Sequence, residues 1–258
     1  MTQAIRTGHV KAETHRGITT IEFFHPQSNS LPAWILHDLT VAIKHAGDDP
    51  DTRVIILRSG GERTFCAGAS FDELMEITNA AEGLQFFSGF ANVINAMRSC
   101  PKFIIGRIHG KCVGGGVGVA AAVDYAIAVD DAKIKLSELA MGIGPFVVGP
   151  VVERKIGLSA YGQLAIDAGM WRNADWAKRK GLYAEVHDSK ENMDEAITRL
   201  ADTLSHSSPL AMAEMKKILW KGTEHWDKFL EERAAISGKL VLSDFTKQAI
   251  EKFRRKKA

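Results

Sequence analysis

The stretch Gly114-Gly115-Gly116-Val117-Gly118 decides the fold of this chain. It follows the apolar run 103–108 and precedes the small-residue segment 119–123, an order that predicts a strand, a tight glycine turn and a buried helix. Glycines let the backbone approach a ligand closely, and a helix N-terminus directs free N–H groups at that ligand. Such a turn suits a partial negative charge. A purely structural alternative stays open, in which the glycines only permit close packing of helix on strand.

The glycine spacing argues against a phosphate site. A dinucleotide fingerprint requires G-x-G-x-x-G, and although Gly114 and Gly116 fit, Val119 occupies the third place. A P-loop requires Gly-Lys-Ser/Thr, which does not occur in the chain. The spacing therefore does not indicate a phosphate group as the ligand of this turn.

A second turn, Thr64-Phe65-Cys66-Ala67-Gly68-Ala69-Ser70, follows the strand-like run 53–57. Ser70 and Glu73 form the S-x-x-E pattern of a capping box, which predicts that a helix begins at Phe71. Ala69 then lies just before a helix start. Two turns of this kind, each following a strand and each presenting backbone donors, predict an oxyanion hole.

At this point the chain resembles a known family, the enoyl-CoA hydratase/isomerase (crotonase) superfamily. The resemblance covers nearly the whole chain and is carried by segments in the family's order: 21–31, F-C-A-G-A at 65–69, G-G-G at 114–116, L-S-E-L-A-M-G-I-G-P at 136–145, A-x-x-A-x-x-x-G-L at 174–182, 209–211 and 216–217. It implies an α/β fold, a crotonase-like spiral of repeated β-β-α units. It also implies a C-terminal helical region that builds homotrimers or dimers of trimers.

The periodicity of the chain agrees with a core followed by a helical tail. β-Branched runs predict strands, and amphipathic periodicity after residue 190 predicts helices. We expect a crotonase-like core with the acyl-CoA site at 1–189 and a C-terminal helical oligomerisation region at 190–258. The predicted strands are 18–24, 53–57, 102–108, 125–129 and 184–187, and the predicted tail helices are 193–204, 210–221 and 226–242.

Composition favours one cytoplasmic enzyme domain. The net charge is +2, charged residues make up 25% and hydrophobic residues 45% of 258 residues. No apolar run is long enough for a membrane span, and no signal peptide is visible. Cys66, Cys100 and Cys112 lack metal spacing, which predicts reduced thiols and no metal site. No G-x-S-x-G elbow of a serine hydrolase occurs.

The resemblance assigns roles to the residues of both turns. It implies that the N–H groups of Ala69 and Gly115 hold the enolate oxygen of an acyl-CoA thioester. It further implies a substrate-binding set, namely Ala67, Gly68, Gly114, Gly116, Gly118, Phe146, Phe253 and Lys256. Phe253 and Lys256 belong to a basic terminus that would approach the adenine and phosphates of CoA, and a merely solvated terminus is the alternative.

The acid/base group is the point where the chain departs from the family. Hydratases of the family use two carboxylates, which by the motif fall at positions 118 and 138, and here these are Gly118 and Glu138. We therefore expect Glu138 to be the general acid/base. Phe146 replaces a family glycine, so its ring either dries the pocket or packs outward as core. Asp72 and Glu73 are candidates for a replacement acid.

These departures predict an atypical hydratase or a double-bond isomerase that needs no cofactor, since coenzyme A is part of the substrate. Decarboxylation and methylglutaconyl-CoA hydration are alternative reactions on the same scaffold. A non-catalytic acyl-CoA binder or RNA-binding relative is an alternative of another class, although the balanced charge disfavours nucleic acid. The sequence leaves open the reaction type, the acyl chain, a replacement for the missing acid, and trimer versus hexamer.

Overall fold

The structure, a computed structural model, describes the backbone of residues 7–255 and the side chains of residues 7–252. Its strands are β1 His9–His15, β2 Ile18–Phe24, β3 Ser30–Leu31, β4 Val54–Ser59, β5 Thr64–Cys66, β6 Gly68–Ala69, β7 Phe103–Ile108, β8 Lys111–Val113, β9 Tyr125–Val129, β10 Ile134–Lys135 and β11 Glu185–His187. Its helices are α1 Ala33–Asp48, α2 Phe71–Glu76, α3 Ala80–Ser99, α4 Gly115–Ala122, α5 Gly149–Ile166, α6 Ala174–Arg179, α7 Lys190–Ser205, α8 Pro209–Leu219, α9 Trp226–Leu240 and α10 Asp244–Arg255, with a short 3-10 helix at Leu139–Met141.

The strands form one large and two small sheets. The large sheet has the order β1-β2-β4-β7-β9-β11, in which β1 and β2 are antiparallel and the other neighbours are parallel. The small sheets are β10-β8-β5 and β3-β6, both parallel. From β4, β7 and β9 in turn, the chain passes to a strand of the three-stranded sheet and then to a helix, with β6 intervening before α2 and the 3-10 helix before α5. This is the repeated β-β-α organisation that the resemblance implied.

The five strands predicted from apolar runs are all present, with ends that differ by at most two residues. The sequence analysis did not predict β1, whose burial pattern is mostly exposed and lacks a clean apolar alternation. The strand that enters the glycine turn is β8 rather than β7, because His109 and Gly110 separate the two. The predicted buried helix is α4, and all eight of its residues are buried.

Three glycines of α4 let neighbouring parts of the chain pack closely on the helix. A Cβ on Gly115 would lie 2.2 Å from the Phe90 ring of α3, one on Gly116 would lie 2.5 Å from the Cys66 carbonyl oxygen, and one on Gly118 would lie 2.4 Å from Val148 Cγ1. Real Cβ atoms do not approach other atoms so closely, so α3, β5 and the segment before α5 can pack on α4 only because these positions are glycine. The N-terminus of α4 is thereby fixed against both strands and helices.

The C-terminal helices pack on the rest of the chain. α7 lies on the large sheet, α9 runs along α3, and α10 lies over α2 and the 3-10 helix. Apolar side chains on α5 and α8 stay exposed, among them Leu158, Ile166, Leu210 and Ile218. The division at residue 189 and the oligomerisation of the tail stay predictions.

Two further findings bear on the class of protein. Among the residues that the structure describes, no helix combines the length and the apolar character needed to cross a membrane. Cys66, Cys100 and Cys112 are buried and unpaired.

Candidate active site

A narrow cavity of about 70 Å³ lies where the two predicted turns meet. The turn 67–69, the start of α4, and the segment 137–148 form its walls, and α3 and α10 close it with Phe87, Phe90 and Ile250. Most of the lining is apolar. Apolar walls of this kind lower the local dielectric constant and strengthen electrostatic interactions near them.

The two turns contact each other through their glycines. Gly68 has φ +86°, and a Cβ there would lie 2.7 Å from the Val113 carbonyl oxygen and 3.2 Å from the Gly115 nitrogen. Gly114 also has a positive φ, +52°, and caps α4 without a side-chain hydrogen bond. Because a helix leaves its first N–H groups without intrahelical acceptors, the N–H of Gly115 has no partner within α4. Ala69 and Gly115 both line the cavity.

Glu138 brings a carboxyl group into the same cavity, on the last residue before the 3-10 helix. Its carbonyl oxygen accepts from Met141 N and Ile143 N, at 3.0 Å each, which holds the backbone in place. One carboxylate oxygen, Oε1, lies 3.1 Å from the point that a Cβ on Gly114 would occupy. A side chain at 114 would thus crowd the carboxyl group.

The Glu138 carboxyl group is electrostatically unusual. Its Oε2 is shielded from solvent and has no hydrogen-bond partner among the described residues, although the residue as a whole is partly exposed. Burial raises the pKa of Glu138 from its ordinary value of 4.5 to about 7. A carboxyl group with a pKa near neutrality can both accept and return a proton at physiological pH, as general acid–base catalysis requires.

The structure brings four of the eight predicted substrate-binding residues together. Ala67, Gly68, Gly114 and Phe146 line the cavity with Ala69, Gly115 and Glu138. Gly116 and Gly118 do not: they face Cys66 and Val148 inside the core, as described for α4. The Phe253 side chain and Lys256 lie outside the described residues.

The space that a side chain at position 118 would need is filled by another residue. Val148, which lines the cavity, lies on Gly118 where a side chain from α4 would project. Phe146 also lines the cavity instead of packing only outward. Phe146 and Val148 therefore both give the cavity apolar side chains, and Val148 fills the space beside Gly118.

The proposed replacement acids are engaged elsewhere. Glu73 Oε2 accepts from Ala33 N at 2.7 Å, at the start of α1, where Pro32 provides no side-chain cap. The Ser70 half of the capping box forms, since Ser70 Oγ accepts from Glu73 N at 3.4 Å. Asp72 Oδ2 accepts from Gln27 Nε2 at 2.8 Å. Among residues 7–252, Glu138 is the one carboxylate that borders the cavity.

Sequence reasoning missed several cavity residues. Phe87, Phe90, Met141, Ser237 and Ile250 come from four elements far apart in the chain. Each also fits the apolar or small face of its own helix, so no local signal separates a cavity residue from a core residue. No group of histidine, cysteine or acidic side chains within the described part of the chain is arranged to hold a metal ion.

Comparisons with known proteins agree with this geometry. Residues 13–257 match the family model for enoyl-CoA hydratase/isomerase. The chain is 32% identical over 209 residues to the carnitinyl-CoA dehydratase of Proteus mirabilis (strain HI4320), a match that covers 80% of this chain and 77% of the relative. It is 27% identical over 238 residues to a peroxisomal Delta(3,5)-Delta(2,4)-dienoyl-CoA isomerase of Arabidopsis thaliana, covering 86% and 84%. The crystal structure of an enoyl-CoA hydratase from Bacillus halodurans shares the fold, with a TM-score of 0.86, 24% identity, and coverage of 94% and 99%.

Proposed function

The chain belongs to the enoyl-CoA hydratase/isomerase family, and from that premise we propose that it shifts a double bond in an enoyl-CoA thioester, with Glu138 as the single acid/base. The observation that carries this proposal is the isolation of Glu138. Within the described residues it is the one carboxylate of an apolar cavity, and a second acid that would help to hold a nucleophilic water is missing. Moving a proton between two carbons needs one such group.

The proposed mechanism begins with the thioester carbonyl between the two turns. The N–H groups of Ala69 and Gly115 donate to the carbonyl oxygen and stabilise the negative charge of the enolate. Oxyanion donors of this type contribute about 2.7–4 kcal/mol each. Stabilisation of the enolate makes the proton on C2, the carbon next to the carbonyl, more acidic. Glu138 removes this proton.

Glu138 then returns the proton at a different carbon. For a 3-enoyl thioester, the proton leaves C2, the electron pair spreads over the enolate and the double bond, and protonation at C4 gives the 2-enoyl product. The pKa of about 7 places both protonation states of Glu138 within reach at neutral pH. The dry walls keep the enolate from exchanging its proton with water.

Dehydration or hydration is the second candidate. It is favoured by the relative of Proteus mirabilis, which is named a carnitinyl-CoA dehydratase. In that reaction Glu138 would remove the proton at C2 and protonate the departing hydroxyl at C3. The two reactions differ in mass balance, because only one of them exchanges a water molecule.

The first experiment is mass spectrometry and NMR of 2-enoyl-, 3-enoyl- and 3-hydroxyacyl-CoA esters incubated with the purified protein. A moved double bond at unchanged mass supports the isomerase. A mass change of one water establishes the hydratase or dehydratase instead. Loss of carbon dioxide from a carboxylated ester would indicate decarboxylation.

Glu138→Gln tests the residue. We expect it to lower kcat about 10²–10⁴-fold and to leave the Kd of a non-reacting saturated acyl-CoA nearly unchanged, because the amide has the size of the carboxyl group. Near-normal turnover in this variant would remove Glu138 from the mechanism.

We further propose a homotrimer, or a dimer of such trimers, in the cytoplasm, built by the region 190–258, with Phe253 and Lys256 at the adenine and phosphates of CoA. The exposed apolar side chains of α8, Leu210 and Ile218 among them, support an interface between copies. Sedimentation equilibrium measures the state, and a monomer at micromolar concentration would contradict the proposal.

A further inference from the structure

Phe146 separates the cavity from a second space. Phe146 lines both the cavity around Glu138 and a groove of about 610 Å³. Of the described residues, Phe146 is the one that lines both spaces. The ring is therefore a partition between them.

The position of this partition is well defined. Phe146 N donates to the Gly144 carbonyl oxygen at 2.9 Å, and Gly149 N donates to that of Pro145 at 2.7 Å, so the turn that carries the ring is tied down on both sides. The ring lies on Gly144, where a Cβ would come within 2.7 Å of ring atom Cε2. Gly144 has φ +89° and no side chain, which leaves the ring room against the backbone.

The groove beyond Phe146 has aromatic walls. Tyr161, Trp226 and Phe229 line it, and the Tyr161 hydroxyl lies over Gly149 at the start of α5. Arg233 stacks its guanidinium on the Phe229 ring at 4.8 Å, and Glu153 is at the exposed rim. The aromatic rings give a hydrocarbon chain apolar surface to contact, while Glu153, Arg154 and Arg233 place charged groups along the same groove.

We infer that Phe146 sets the acyl-chain length of the substrate: its ring ends the cavity at short acyl groups and bars longer chains from the aromatic groove. This inference rests on the proposed function, because it places the thioester at Ala69 and Gly115. The small cavity leaves little room beyond the reacting carbons. The groove is the space that the acyl chain would enter if the ring were removed.

The test is a chain-length series from C4 to C12 with the wild type and Phe146→Ala. We expect the wild-type kcat/KM to be highest at C4 to C6 and to fall at least about tenfold by C10. In Phe146→Ala the C10-to-C4 ratio should rise, by up to roughly fourfold for each methylene that enters the groove. An unchanged ratio, or a wild type that already accepts C10 as well as C4, would overturn the inference.

Phe87→Leu is the matched control. Phe87 lines the cavity but not the groove, so this variant enlarges the cavity without opening the partition. We expect its C10-to-C4 ratio to stay near that of the wild type. If Phe87→Leu raises the ratio as much as Phe146→Ala does, general loosening explains the effect and the inference fails. If Phe146→Ala does not fold, Phe146→Leu is measured in its place, with the same expected direction.

Binding separates this inference from the proposed function. The Kd values of saturated C4- and C10-CoA, measured by calorimetry, report chain-length selection without any turnover. If no ester reacts but C10-CoA gains affinity in Phe146→Ala, the reaction assignment fails and the partition stands. If esters react but the ratio of the C10-CoA to the C4-CoA Kd is the same in wild type and Phe146→Ala, the partition fails and the reaction assignment stands.

Discussion

At the scale of single residues, Glu138 combines a shielded carboxylate oxygen with a position at a helix N-terminus. Its Oε2 is shielded without a hydrogen-bond partner among the described residues, and it lines a cavity beside an uncapped helix N-terminus. A buried ionised carboxylate without partners is costly, so burial shifts the equilibrium to the protonated form. A carboxyl group with a pKa raised to about 7 fits the proton-transfer role that we propose for Glu138.

The pH dependence of Glu138 follows from this shift. As a base it is active when ionised, so kcat/KM should rise from low pH and level off above pH 7, with about 100-fold less activity at pH 5 than on the plateau for a pKa of about 7. A profile of kcat/KM from pH 5 to pH 9 measures it. A midpoint near the ordinary value of 4.5 would contradict the assignment.

The same shift affects stability. The folded protein holds the Glu138 proton up to a pKa of about 7 and the unfolded chain only up to about 4.5, so stability is lost as pH rises through this window. In Glu138→Gln the amide does not titrate, so the variant does not lose stability in this way as the pH rises. At pH 8 we expect the variant to be more stable than the wild type by up to about 3 kcal/mol, and at pH 4 by little. Urea unfolding at both pH values tests the difference.

Replacement of Gly118 by glutamate would put an acid back at the position where the family pattern has one. The structure leaves no room for this side chain, because a Cβ at 118 would lie 2.4 Å from Val148 Cγ1. Gly118→Glu should destabilise the protein by about 1–3 kcal/mol through overpacking without gaining hydratase activity. Combining it with Val148→Gly should recover part of the stability. Additive losses in thermal melting of the single and double variants would show that the two positions do not interact.

At the scale of elements, packing depends on which helical glycines face another element. Gly83 and Gly238 meet where α3 and α9 cross, and a Cβ on Gly238 would lie 2.6 Å from Leu84 N. Gly162, in α5, has no atom within 4 Å of such a Cβ. Glycine at position 238 therefore permits close packing of two helices, whereas no neighbouring atom requires glycine at position 162.

This contrast gives a paired prediction. Gly238→Ala should lower the stability by about 1–3 kcal/mol, because it forces apart two helices in backbone contact. Gly162→Ala should raise it by about 0.4–1 kcal/mol, because it reduces the entropy of the unfolded chain and fills open space. Calorimetric melting temperatures of the two variants test the pair, and two shifts of the same sign would refute it.

At the scale of the whole molecule, a buried ion pair joins the C-terminal helices to the large sheet. Lys216 Nζ of α8 lies 2.8 Å from Asp124 Oδ2, with side-chain exposures of 2% and 6%. Asp124 also accepts from Ile104 N at 2.8 Å and from Trp220 Nε1 at 3.1 Å, and Lys216 donates to the Lys102 carbonyl oxygen at 2.7 Å. The two charges are thus desolvated but extensively hydrogen-bonded.

Removing one partner should be severe. Lys216→Met leaves the Asp124 charge buried and should cost about 3–5 kcal/mol. The control is the next residue of the same helix: Lys217 pairs with Glu214 at 2.6 Å, but both side chains are about 70% exposed. Lys217→Met should cost less than about 1 kcal/mol. Equal losses in denaturant unfolding would mean that the buried pair does not anchor α8.

The sequence predicted the positions of five strands of the large sheet, the buried helix α4 and the helix start at Phe71. It did so because these signals are local: apolar runs, a glycine turn and an N-cap. β1 escaped prediction, since its stability comes from pairing with β2 and not from its own pattern. The hydrogen bond from Ala33 N to Glu73 also escaped prediction, because it joins residues 40 positions apart.

For the site, the sequence by itself determined the two glycine turns, because a tight turn demands glycine, and its resemblance to the family singled out Glu138 as the candidate acid/base. Only the tertiary structure decided that Gly116 and Gly118 face the core, that the Glu138 pKa is raised to about 7, and that Phe146 stands between two spaces. The physical reason is that burial and cavity shape depend on side chains brought together from distant segments. Phe90, Val148 and Ile250 line the cavity from three distant parts of the chain, and no local pattern predicts that they come together.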